Sequence, residues 1–117
     1  MFDVFICSPL RGDIEANIKK ALFYCDYAAN MGFDPFAPHC YYPRFLDELD
    51  ESDRRKGIMW GLKKIPYCKY VWAFANNYDE CSSGMKEEID EAFKIGVPVI
   101  FISPETLMPV GKLAKNG

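Results

Sequence analysis

Histidine is nearly absent from this chain. His39 is the single one in 117 residues, and no C-x-x-C pair accompanies it. A zinc centre needs several His or Cys ligands in clustered spacing, so no metal is expected. Long apolar runs are missing as well. The opening Met1-Phe2-Asp3-Val4-Phe5-Ile6-Cys7 is too short for a secretory h-region, and no other run is long enough for a bilayer. The expectation is a soluble, cytoplasmic protein without a membrane partner. Positive charge is also in deficit, with 14 Lys and Arg against 17 Asp and Glu and a net charge of -3. That balance argues against duplex nucleic acid as a partner, which calls for a basic face. Only Arg54-Arg55-Lys56 forms a local basic cluster, enough for one phosphate. The five cysteines, Cys7, Cys25, Cys40, Cys68 and Cys81, are scattered and odd in number. They read as reduced thiols in or near a core.

Half of the residues are hydrophobic, which excludes a disordered chain and suits one domain spanning residues 1–117. Phe2 to Cys7 reads as a first strand. Asp13 caps a helix to about Met31, with Ile14, Ile18, Ala21, Leu22, Cys25 and Ala28 at helical spacing and Gly32 as its stop. A second strand from Phe33 to Pro38 leads into the irregular His39-Cys40-Tyr41-Tyr42-Pro43. Residues 44–52 give one or two helical turns, and a helix starting at Asp53 runs to the break at Pro66. Tyr70 to Ala75 is a third strand buried on both faces. A further helix ends at Gly96, and Val97 to Ile102 is a fourth strand. Trp60, Trp72, Phe74 and Phe93 are assigned to the core. The tail from Lys112 to Gly117 is polar, free to fray or to dock on a partner subunit.

This alternation of strands and helices predicts an α/β fold, a flavodoxin-like three-layer α/β/α sandwich. Its parallel sheet has four to five strands in the order 2-1-3-4(-5). The switch point lies between strands 1 and 3, so the loops at 8–13 and 76–84 are expected to face each other across one crevice.

The second of these loops is the most informative segment, Asp79-Glu80-Cys81-Ser82-Ser83-Gly84-Met85-Lys86-Glu87-Glu88-Ile89. A Ser/Gly loop that opens a helix offers free N–H groups and the positive end of a dipole to an anion. A carboxylate held there can serve as a nucleophile. Taken residue by residue, plainer roles are equally open. Glu88 can be a solvated helix carboxylate, Ser82 or Ser83 an N-cap, Arg11 a surface residue, and His39 a loop-packing side chain.

Taken together, Cys7-Ser8-Pro9-Leu10-Arg11-Gly12 and Ser82-x-Gly84-x-x-x-Glu88-Ile89 resemble motifs of the nucleoside 2-deoxyribosyltransferase superfamily. The branch with 2'-deoxynucleoside 5'-phosphate N-hydrolases and small uncharacterised bacterial and phage proteins is the most similar. The resemblance covers about residues 2 to 102. It implies Glu88 as catalytic nucleophile at C1', and Ser8, Arg11, Gly12, His39, Ser82, Ser83 and Gly84 as ligand-binding residues. Ser82 stands where the hydrolases hold a 5'-phosphate. No metal and no organic cofactor is implied. The partners implied are a small-molecule nucleoside or nucleotide and further copies of the chain, as a homodimer or higher homo-oligomer. The chain departs from the family pattern at Gly61, where the enzymes carry an acidic residue, and at Lys69, where many carry Asp. Asp47, Glu48, Asp50 and Glu87 are the carboxyls available to replace a missing acid. The same two departures favour the alternative function, a non-catalytic nucleotide or nucleotide-sugar binding module.

Overall fold

The computed structural model describes residues 1–115. Five strands form one sheet in the order β2-β1-β3-β4-β5. β1 (Phe2–Cys7) pairs in parallel with β2 (Pro35–Phe36) and β3 (Cys68–Ala73), and β3 pairs in parallel with β4 (Val99–Ile102). Period-two alternation along β1 makes the two faces of the sandwich. Phe5 and Cys7 enter a core with Val71, Met85 and Ile89, whereas Val4 and Ile6 enter a second core with Tyr24, Ala28 and Trp72. All four of these β1 side chains are fully buried, as expected for an inner parallel strand covered on both sides.

The helix α1 (Ile14–Asn30) covers one face, capped by Asp13, whose side chain accepts from Ala16 N at 3.1 Å. Its buried stripe is Ala21, Tyr24 and Ala28. Leu22, expected inside, is about half exposed, because Tyr24 takes the inward position and stacks on Phe74 with ring centroids 3.8 Å apart. The opposite face carries α3 (Glu51–Leu62) and α4 (Ser83–Ile95). α4 stops at Gly96, which adopts φ 85 as a left-handed cap.

Several elements differ from the sequence expectation. The second strand is reduced to two residues, since Pro38 opens a short helix α2 (Pro38–Tyr41), followed by a 3-10 turn at Tyr42–Arg44. No helix forms across residues 45–50. Asp47 N donates to Asp53 Oδ2 at 2.9 Å, and Asp47 Oδ1 accepts from Leu49 N at 3.0 Å, so local side-chain bonds hold turns there. α3 begins two residues early because Asp50, not Asp53, is its cap. The third strand is displaced towards the N-terminus, leaving Phe74 N to bond Cys7 O at 3.0 Å beyond the ladder.

The fifth strand, expected to extend the parallel sheet, is antiparallel: β5 (Pro109–Leu113) returns along β4. The cause is a tight turn in which Leu107 N donates to Ser103 O at 2.8 Å and Leu107 adopts φ 58. A parallel strand would have needed a long crossover. The tail thus docks on its own sheet as far as Leu113, and Asn116 and Gly117 lie outside the described residues.

Two aromatic residues expected in the core also lie elsewhere. Trp72 and Phe74 are buried, but Trp60 and Phe93 are 37% and 38% exposed. α3 turns Gly57 and Gly61 inward, which leaves Trp60 on its flank beside Tyr42. All five cysteines are free. No helix among the described residues is long and apolar enough to cross a membrane.

Replacing Gly96 with Ala keeps ample space for the new Cβ but forces a left-handed conformation on it. Urea unfolding of Gly96→Ala is expected to show a loss of about 1 kcal/mol.

Candidate functional site

The carboxyl ends of β1 and β3 open onto one cleft, walled by residues 8–11, by the start of α4, and by α3 with the turns before it. Glu88 is its most unusual component. On α4 the buried stripe is Met85, Glu88, Ile89 and Ala92, so a carboxylate occupies a position that the helical period reserves for an apolar side chain. Glu88 is only 5% exposed, and its Oε1 is buried without a hydrogen-bond partner among the described residues. Burial pushes its carboxyl up to about 8, opposed by the Cys7 thiol beside it and reinforced by the charge of Glu87. Cys7, at the end of β1, is itself pushed well up by burial and by Glu88, and its Sγ donates to Met85 O at 3.7 Å.

Ser8 supplies a second buried, unpartnered polar atom, its Oγ. Buried polar groups are almost always paired, with protein or with bound water, so these two atoms mark where water or a ligand supplies the partners in this cleft. Above Ser8 lies His39, the first-turn residue of α2. Its Nε2–H donates to Ser8 O at 2.7 Å, which leaves Nδ1 as an acceptor. Burial lowers the pKa of this ring, so it is neutral at ordinary pH.

The other end of the cleft is cationic. Ser82 caps α4 by accepting from Met85 N at 3.3 Å, and Lys86 N begins the helical ladder at Ser82 O. The first-turn N–H groups of Ser83 and Gly84 remain outside that ladder. Arg11 and Arg54 stand at the rim and share one carboxylate, Glu51, at 3.5 and 3.6 Å. Glu51 is 70% exposed, so this bridge is weak and exchangeable for another anion.

Seven of the eight residues singled out from sequence therefore line the cleft: Ser8, Arg11, His39, Ser82, Ser83, Gly84 and Glu88. Gly12 does not. It adopts φ 105 in the turn after β1, and a Cβ there would meet nothing within 4 Å. The sequence reading missed Leu10, Met85 and Ile58 as lining residues, whereas it named Arg54 within a phosphate-sized basic cluster and Glu48 among four candidate acids. Arg54 and Ile58 are i and i+4 on α3, a spacing that announces a common face. Glu48 lies in the non-helical segment, where no periodicity marks it. The two departures from the family pattern fall outside the cleft. Gly61 packs on Pro38, with a Cβ there 3.5 Å from Pro38 Cβ, and Lys69 pairs with Asp3 at 3.3 Å near the opposite ends of β3 and β1.

A flavodoxin-like sheet with a cleft at its switch point defines an α/β protein. The chain belongs to the family described as Domain of unknown function (DUF7768), whose model matches residues 3–102. Its fold is shared with a solved 2-deoxyribosyltransferase from the psychrotolerant bacterium Bacillus psychrosaccharolyticus. The two superpose with a TM-score of 0.66 at 18% identity, over 87% of this chain and 72% of that one. No curated protein matches the sequence.

Burial of Glu88 has a measurable cost. Between the ordinary value of 4.5 and about 8 the folded chain keeps a proton that the unfolded chain has released, so stability falls as pH rises through this window. Glu88→Gln removes the titration. The variant is expected to match the parent near pH 4.5 and to exceed it by on the order of 5 kcal/mol above pH 8 in urea unfolding. Parallel pH profiles for the two proteins would contradict the burial argument.

Proposed function

We propose that this protein cleaves or transfers the N-glycosidic bond of a 2'-deoxynucleoside or its 5'-monophosphate, with Glu88 as the nucleophile. The observation that carries the reading is the Glu88 carboxyl, buried and unpaired at the floor of a cleft whose rim is cationic. A buried, unsatisfied carboxyl is costly to the fold, and such strain concentrates where chemistry is done. The likeness in fold to a 2-deoxyribosyltransferase and the match of both sequence motifs support the same class. The reading covers the whole chain as one deoxyribosyltransferase-like domain, nearest to the 5'-phosphate N-hydrolase branch.

In this mechanism the 5'-phosphate sits against the Ser83 and Gly84 N–H groups and the Ser82 hydroxyl. There it displaces Glu51 from Arg11 and Arg54. The sugar lies over Ser8 and His39. Glu88 attacks C1' as the bond to the base breaks, giving a glycosyl ester that water or a second base opens. The carboxylate and the fixed dipoles supply the chemistry, with no metal or organic cofactor.

The cleft holds about 80 Å³, well below the roughly 300–1,000 Å³ of pockets that engulf a ligand. That volume suits the sugar end of a nucleotide and leaves the base towards the mouth, where a second copy of the chain can complete the site. Self-association as a homodimer or larger homo-oligomer belongs to the reading. An aromatic groove along the β2 edge, with Phe36, Tyr41, Phe45 and Trp60, supports it.

One observation favours a second reading, a non-catalytic nucleotide or nucleotide-sugar binding module. With its pKa near 8, Glu88 is mostly protonated at neutral pH and is then a donor to sugar hydroxyls rather than a nucleophile. Chromatography of free base released from the four deoxynucleoside 5'-monophosphates and their nucleosides separates the two. Release that disappears in Glu88→Ala and Glu88→Gln supports the glycosidase. No release, with nucleotide-induced thermal stabilisation retained, leaves the binding module.

The phosphate placement has its own check at Gly84, where a Cβ would meet nothing within 4 Å. Gly84→Ala is expected to leave stability unchanged or to raise it by up to about 1 kcal/mol through helix propensity. Its affinity for a deoxynucleoside monophosphate should fall about tenfold by calorimetry, since the methyl group intrudes on the anion's approach. Equal affinities would displace the phosphate from this helix end.

A further inference from the structure

We propose that Glu48 is the general acid of this site, giving its proton to the departing base and recovering one from the incoming water. The inference rests on the glycosidase reading and fills the role left empty by Gly61.

The argument is one of placement and elimination. Glu48 and Glu88 line the main cleft together, and they also share the adjoining recess floored by Pro38, Gly57 and Ile58. The carboxyl of Glu48 lies over α3 within van der Waals reach of position 57, where a Cβ would be 3.8 Å from Glu48 Oε2. The other acidic groups of this neighbourhood are occupied. Asp47 Oδ1 accepts from Leu49 N, Asp50 Oδ2 from Asp53 N, and Asp53 Oδ2 from Asp47 N. Glu51 pairs with Arg11 and Arg54, and Glu87 pairs with Arg55 at 3.1 Å. Among the described residues Glu48 alone of these has neither a hydrogen bond nor an ion pair, and it alone of them reaches the cleft of Glu88. Its environment suits the task. Burial raises its pKa, while the charges of Arg54 and Arg11 keep that rise in check.

The step balances from the state in which Glu88 is ionised and Glu48 holds the proton, the minor one at neutral pH because burial leaves Glu88 the weaker acid of the two. Glu88 as carboxylate forms a bond to C1', the C1'–N bond breaks, and the leaving nitrogen takes the proton of Glu48. Water then attacks C1' and passes its proton to Glu48, and the ester bond to Glu88 breaks.

The test varies the leaving group. Base release from the deoxynucleoside 5'-monophosphates needs protonation, whereas 4-nitrophenyl β-2-deoxyribofuranoside 5-phosphate expels a stable phenolate without it. Glu48→Gln is expected to slow base release by about 10²- to 10⁴-fold and nitrophenolate release by less than about tenfold. Retained turnover of the second substrate also shows that the variant is folded. Glu88→Gln, run alongside, should abolish both reactions. If Glu48→Gln slows both substrates equally, or neither, Glu48 is not the acid. If the parent acts on neither substrate, or Glu88→Gln acts on both as the parent does, the nucleophile reading itself is overturned.

Discussion

The parallel pairing of β1 with β3 is the constraint from which the rest of this molecule follows. Its register runs from Phe2 opposite Cys68 to Cys7 opposite Ala73, and one further bond, Phe74 N to Cys7 O, closes the pair. Because the register is fixed by side chains buried on both faces, a one-residue slip would exchange the two cores, and none is tolerated. The two chains therefore leave the sheet side by side at the same height. Residues 8–11 and the loop into α4 are brought together by hydrogen bonds made several residues earlier. The cleft is thus a property of the sheet, with its loops held by the rigid part of the fold.

Within that frame two electrostatic conditions sit at opposite ends of a short cleft. At the floor, burial works against the charge of Glu88, partly offset by the Cys7 thiol beside it. At the rim, Arg11 and Arg54 are half compensated by a single exposed carboxylate, Glu51. A neutral floor under a cationic rim accepts an anion without repulsion from below. α3 contributes Arg54 and Ile58 to the wall, while its Gly57 and Gly61 face Tyr42 and Pro38.

How much of this could be read from residues alone depends on the range of the determining interaction. β1, α1, the cap at Asp13 and the stop at Gly96 were legible, and the cap of α4 was narrowed to Ser82 or Ser83, because each is set by neighbours within a few residues. Strand order followed from the crossover rule, and the crevice from strand order. The second strand was overextended because the helix that Pro38 opens ends it after Phe36. Residues 44–52 read as helix on their apolar spacing, yet Asp47 and Asp53 bond across six residues and hold turns instead. Trp60 and Phe93 look like core by composition. Their exposure depends on which face of α3 and α4 the glycines and small residues claim, which is a tertiary choice. Glu48 was one of four equivalent acids in sequence, and only the pairing of its neighbours sets it apart.

The contrast between the two tryptophans makes the molecule self-reporting in fluorescence. Trp72 lies in the core of the sheet, flanked edge-on by Phe33 at 5.1 Å, and is shielded from a dissolved quencher. Trp60 stands on the flank of α3 in the open aromatic groove, beside Tyr42, within reach of iodide or acrylamide. Emission from this chain therefore divides into a blue, unquenchable part that follows the integrity of the sheet and a red, quenchable part that follows whatever covers the groove. Unfolding and association can be told apart in a single cuvette without any label.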